Sequence, residues 1–266
     1  MNGSGFFKIG RIIGLALACC LGANLTHGQE PIQIDDAQDQ HDCMPYELTV
    51  YVDSANTANF QDISSGAFAA HFKSNRDYQN KDFIKNASYW IKFPIRHKAS
   101  SDKIWLLEFY DQTIDHLDVY IPQTDGSHKM MKMGDQQPFR QRTFMHKNFE
   151  IVLKMEKDTV MNYYFRVQSG EFAELRVTVR SVNRFVYYAL SEYFLFGTFY
   201  GMILIIALYN FLMYLAVREI KNIFYIMYIL SVAAYAMSYD GIGFQYLWPG
   251  HPSWNDYAVG ITLYSM

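Results

Sequence analysis

From Phe194 to Val217 the chain reads FLFGTFYGMILIIALYNFLMYLAV without one charged residue, and no other feature limits its fold so tightly. At 1.5 Å per residue, a helix of about that length crosses a hydrocarbon core of about 30 Å. A helix that is apolar on every side has no face to offer water, so its partner is the lipid bilayer rather than a soluble core. A second apolar run, Asn222 to Tyr239, is shorter and richer in tyrosine and predicts a second span. A third opens at Tyr257 and meets the end of the sequence at Met266, which marks the chain as an expected fragment.

The N-terminus predicts export. Lys8 and Arg11 precede an apolar run from Ile12 to Ala23 that is too short to span comfortably, the pattern of a signal peptide over residues 1–28. Thr26 and Gly28 are small residues suited to cleavage after Gly28, with Ala23 a competing site. An uncleaved anchor, or lipidation at Cys19 or Cys20, is the alternative. Removal of the signal leaves Cys43 as the last cysteine. An internal disulfide is then excluded, and pairing between two chains of a homo-oligomer is the only bridge open to it. Arg218 and Lys221 lie between the first two spans, whereas Asp240 to Asp256 contains neither lysine nor arginine. Both charge and signal therefore place the short turn in the cytoplasm and residues 30–190 outside. The net charge of -3 provides no basic field for nucleic acid, which is excluded as a partner.

Residues 29–45, rich in aspartate and glutamine, predict a solvated leader. Period-two alternation then begins at Tyr46 and recurs near 89–95, 105–109, 117–121, 149–153, 163–167 and 175–179, giving about seven strands. Turn-forming stretches such as Gln123 to His128, with its Asp125-Gly126 pair, separate them. Short strands with one apolar face each predict an all-β, jelly-roll-like sandwich over 46–182, followed by α-helical transmembrane segments. Phe60, Ile63, Phe68 and Phe72 are compatible with either a short helix or a strand.

Aromatic faces suit ligands that combine an apolar side with a polar rim. Trp90 and Trp105 lie within alternating runs and are expected in the core, leaving Tyr110 and Tyr120 as the ligand-binding candidates. Glu108, Asp111, Asp115 and Asp118 form the densest acidic group, but their spacing matches no calcium loop and predicts a solvated strand end and turn. The histidines are scattered without zinc-ligand spacing, and neither a nucleophile motif nor a phosphate-binding loop occurs. No metal, cofactor or catalytic residue is expected. Asn210, deep in the first span, is expected to hydrogen-bond a partner helix. Asp240 closes the second span on its outer side.

The stretch Tyr200 to Pro249 carries Tyr200-Gly201, Tyr209-Asn210, Tyr225, Tyr228 and an Asp240-Gly241-x-Gly-Phe-Gln-Tyr-Leu-Trp-Pro loop. With these features it resembles the membrane domain of the bacterial seven-transmembrane receptors with diverse intracellular signalling modules. Residues 89–93, 105–109, 117–122, Gly134-Asp135 with Pro138-Phe139, and 164–169 resemble that family's type 2 extracellular domain. The resemblance implies a multi-pass inner-membrane sensor. Its exported jelly roll is akin to carbohydrate-binding modules, and a seven-helix bundle leads to a kinase or cyclase module beyond residue 266. The expected ligand is a small molecule, with carbohydrate the class implied, and the chain itself is not expected to be an enzyme. The competing function class is a membrane-anchored carbohydrate-binding or assembly module without signalling.

Overall fold

The alternating runs do form strands, and their inward faces meet. The computed structural model describes residues 29–265 except 77, 79, 99 and 100, so the expected signal peptide lies outside the described residues. The larger sheet contains β1 (Ile32–Ile34), β3 (Thr49–Asp53), β4 (Lys73–Ser74), β5 (Ser88–His97), β7 (His116–Pro122), β8 (His128–Met133) and β10 (Val160–Gln168). Its order is β4-β3-β5-β10-β7-β8, with β1 pairing parallel to the end of β5. The smaller sheet consists of β2 (Gln40–Asp42), β6 (Trp105–Phe109), β9 (Phe149–Leu153) and β11 (Val177–Ser181), in the order β2-β11-β6-β9. Between the sheets, Tyr89, Ile91, Phe93 and Ile95 of β5 share a buried core with Trp105, Leu107 and Phe109 of β6. Register follows the pattern: Phe165 sits opposite Ile91 on one side and Val119 on the other, because a slip of one residue would turn each apolar face outward. Burial of each such side chain contributes about 1.5–3 kcal/mol, enough for a core without a disulfide.

The sandwich starts earlier than its periodicity does. Residues 29–45 are not a solvated leader: Ile32 and Ile34 are buried against β5, β2 pairs with β11, and Cys43 is buried. Three-residue strands between aspartates are too short to show a period, and their pairing partners lie far along the sequence. All seven predicted strands are present, and β1, β2, β4 and β8 add to them. The ambiguous segment becomes α1 (Phe60–Ser64), whose cap Asn59 accepts a bond from the Asp62 amide at 2.9 Å, and a 3-10 turn over Gly66–His71.

Strand β11 passes directly into α2 (Val182–Val217), with the Ser181 hydroxyl accepting from the Arg184 amide at 3.3 Å. The helix therefore begins twelve residues before the predicted span, and its first turns stand on the sandwich. Beyond them, Phe194 and Ile205 are 72% and 69% exposed, which suits lipid and not water. Arg218, left-handed at φ 60°, ends α2, and α3 (Lys221–Tyr239) returns. The predicted outer loop folds into α4 (Ile242–Tyr246), and α5 (Asn255–Ser265) follows. Asn210 donates to the Ile206 carbonyl of its own helix at 2.9 Å.

Candidate functional site

Residues that alternate with the core point out of the larger sheet and form two rows. One row runs Tyr51, Trp90, Arg166, Asp118, Lys132; the next runs Thr49, Lys92, Tyr164, Tyr120, Met130. Arg166 lies 5.8 Å from the Trp90 ring, donates to Ser88 Oγ at 2.9 Å and faces Asp118 at 3.6 Å. A platform of three aromatic rings beside a guanidinium and a carboxylate can stack on a flat apolar ligand face and hydrogen-bond its rim. At present, α1 covers it. Phe60 lies flat on Tyr120, with centroids 3.9 Å apart and planes 4° apart, while Trp90 and Tyr164 flank the pair. Trp90 is buried as expected, but in this second aromatic cluster rather than between the sheets, and its indole Nε1 has no hydrogen-bond partner among the described residues.

Tyr110 lies elsewhere, beside the root of α2. Arg176 and Arg180 approach its ring at 4.6 and 5.3 Å, Tyr188 meets it edge-on, and Arg180 donates to its hydroxyl. Glu108 corrects the reading of its acidic group: it is fully buried, not a solvated strand end. It points away from the sandwich core, yet α2 and the 134–148 loop cover that face. Its carboxylate pairs with Arg180 at 3.0 Å and accepts from Asn148 Nδ2 at 2.6 Å. Among the described residues, Glu108, His146 and Glu150 bring three potential metal-ligand atoms within 4.8 Å. Three cations already match the carboxylates: Arg180 pairs with Glu108, His146 hydrogen-bonds Glu150 at 2.5 Å and pairs with Glu192 at 3.4 Å, and Lys147 pairs with Glu192 at 3.3 Å. Burial lowers the His146 pKa, but hydrogen bonds to Glu150 and Glu192 outweigh it and raise the pKa to about 9. The cluster is a charge-balanced network joining β6, β9, β11 and α2.

The 134–148 loop also docks the sandwich onto the outer helix ends. Gly134 starts it at φ +130°, where any Cβ would collide with the Asp115 carbonyl oxygen, so glycine is required. Phe139 donates its amide to the Pro249 carbonyl at 3.0 Å and meets Phe244 edge-on. Arg142 sits 4.3 Å from both the Phe139 and Phe149 rings and donates to the carbonyls of His146, Lys147 and Asn148. Gln245 donates to the Met145 carbonyl at 3.0 Å and accepts from Tyr193 at 2.5 Å.

The Asp240–Pro249 motif thus acquires a physical meaning. Asp240 ends α3, Gly241 adopts a left-handed turn at φ +74° against Gln112, and Gly243 lies under the Trp248 ring. The other motif residues are in the spans: Tyr200 lines an apolar cavity of about 520 Å³ between α2, α3 and α5, Gly201 has open space around it, and Tyr209 is exposed. Sequence reasoning missed the docking role of residues 134–148 because the loop has no periodicity; Gly134-Asp135 and Pro138-Phe139 were its visible signals.

Comparison with known proteins agrees with this division. The 7TMR-DISM extracellular 2 family matches residues 46–181, and the 7TM diverse intracellular signalling family matches 192–266. No curated protein matches the chain. A solved β-glucosidase from Kluyveromyces marxianus is 12% identical over 58% of this chain and 19% of its own, with a TM-score of 0.22, a likeness that carries no argument. The two matches divide the chain where β11 gives way to α2, with an exported sensor domain before the break and inner-membrane helices after it. The chain belongs to the seven-transmembrane receptors with diverse intracellular signalling modules, a family of transmembrane sensors, and carries their type 2 extracellular domain.

Proposed function

We propose that the sandwich binds a small ligand on the outer face of its larger sheet, that carbohydrate is the class this face suits best, and that binding is relayed through the docked loop into the helices. The observation that carries the reading is the aromatic cluster of Trp90, Tyr164 and Tyr120, spread over two adjacent rows, beside Arg166 and Asp118. Sugar rings offer an apolar face for the aromatics and hydroxyls for the charged pair. Phe60 occupies the Tyr120 face, so binding exchanges a protein ring for a ligand ring and displaces α1. Tyr110 acts on the relay side in this reading, holding Arg180 at the root of α2. A ligand that binds the α1-open state better shifts the population toward it. Catalytic output then belongs to a cytoplasmic module of the receptor, while these residues sense and relay.

Calorimetry of the chain in lipid nanodiscs against a panel of sugars and cell-wall fragments tests the ligand class. Tyr120→Ala is expected to weaken binding by about 1 kcal/mol or more, through loss of a contact aromatic. Phe60→Ala is expected to strengthen it by removing the competing ring. Failure of every sugar to bind the Phe60→Ala protein would overturn the carbohydrate reading.

A further inference from the structure

A second cavity, of about 250 Å³, lies at the junction rather than on the sheet face. The sandwich contributes Asp115, Asp135 and Glu171 to its walls; the helices contribute Phe244, Asp256 and Val259. Asp135 is 8% exposed, and among the described residues its buried Oδ1 has no hydrogen-bond partner. An unpaired buried carboxyl oxygen is costly whether or not the group is protonated, and it marks a place for a donor. Its neighbours are otherwise engaged. Asp115 accepts from the Gly170 amide at 2.7 Å, Asp256 accepts from Gln136 at 2.6 Å, and Glu171 pairs with Lys85 at 2.6 Å. Arg142, the guanidinium on the wall, gives its Nη1 to three backbone carbonyls, while its Nε is a buried donor without a partner among the described residues, so a single cation faces the four carboxylates of the lining. The lining therefore carries an excess of negative charge, and exposed Asp256, Glu171 and Thr113 lie at its edge.

We propose that this cavity binds a small aliphatic ammonium ion, whose N–H groups bond the Asp135 carboxylate and whose carbon chain lies against Phe244 and Val259. A bare divalent ion fits less well. Calcium needs six to eight oxygens at about 2.3–2.6 Å, and these carboxylates do not converge: among the described residues, the sole trio of ligand atoms within 4.8 Å is that of Glu108, His146 and Glu150. An ammonium ion satisfies separated acceptors one hydrogen at a time. Burial, then the charges of Asp115 and Asp256, raise the Asp135 pKa to about 8, with Arg142 opposing and Asp111 adding to the rise. Binding the cation as carboxylate therefore releases a proton, so affinity should increase from pH 6.5 to 8.5. Because sandwich loops and helix ends supply opposite walls, an occupied cavity would favour the docked arrangement. The site is separate from the outer sheet face and does not depend on what binds there.

The test is calorimetry and thermal melting of the chain in lipid nanodiscs, with 1,4-diaminobutane as probe and 1-butanol, sodium chloride at matched ionic strength and calcium chloride as comparators. The diamine should bind and raise Tm, more strongly at pH 8.5 than at pH 6.5, while butanol and sodium chloride should do neither. Asp135→Asn, nearly isosteric, should weaken diamine binding roughly 10-fold or more with an unchanged circular dichroism spectrum. Asp256→Asn, at an exposed position, should weaken it by a smaller factor and guards against a folding defect in the first variant. No diamine binding, equal binding by Asp135→Asn, or calcium displacing the diamine at lower concentration would each overturn the proposal.

Discussion

Replacement of Arg180 by methionine should be among the most damaging single changes outside the sandwich core. Arg180 and Glu108 are 1% and 0% exposed, and their ion pair is 3.0 Å long. Methionine keeps much of the side-chain volume but leaves the Glu108 carboxylate buried with Asn148 as its remaining partner. Removing one member of a buried pair typically costs about 3–5 kcal/mol, because the other charge is left uncompensated. For a domain of this size that corresponds to a fall in Tm of roughly 10 °C. Restoring balance should restore stability: Glu108→Gln combined with Arg180→Met removes both charges and should cost less than Arg180→Met alone. Thermal melts of the four proteins in nanodiscs, followed by tryptophan fluorescence, complete the double-mutant cycle. A cost below about 1 kcal/mol for Arg180→Met, or a double variant no more stable than that single, would refute the view that the pair is a mutually dependent buried unit.

Gly134→Ala should destabilise the junction by about 3 kcal/mol or more, since φ is +130° and the new methyl would strike the Asp115 carbonyl; proteolysis at residues 134–148 is the readout. The His146 pKa of about 9 lies above its ordinary 6.5, so its stabilising contribution is complete below pH 6.5 and lost as pH rises through about 9. Asp135, also raised, acts in the same direction. Tm should accordingly decline between pH 7 and 10, and less steeply in His146→Gln. Burial raises the Cys43 thiol pKa, so maleimide should label it only after unfolding, which mass spectrometry reports.

Alternating and uncharged runs were legible because they depend on local pattern alone. Trp105, Leu107 and Phe109 alternate into the core as their spacing predicts, and the 194–217 run needs no partner to be recognised. What the pattern hides is the second face of each strand. Leu106 and Glu108 point away from the sandwich core, where solvent is the ordinary expectation, yet both are fully buried because α2 and the 134–148 loop cover them. Tyr120 likewise belongs to the exposed face by periodicity, but Phe60, sixty residues earlier, lies on it. Ile32 and Ile34 are buried by a parallel pairing with β5 that no local signal announces. The docking of Gln245 on Met145 joins segments one hundred residues apart, and such contacts are fixed by tertiary packing rather than by propensity.

Relay from sandwich to helices requires that the sandwich be seated on the outer helix ends through its 134–148 loop, and cross-linking tests that seat directly. Gln136 Nε2 lies 2.6 Å from Asp256 Oδ1, one on the loop and the other at the start of α5. With both replaced by cysteine, a short bis-methanethiosulfonate reagent added from the periplasmic side should join them within a single chain, and protease cleavage between them should leave the fragments linked. Fragments that separate, with both cysteines labelled independently, would contradict a docked sensor and remove the loop route from ligand to helices.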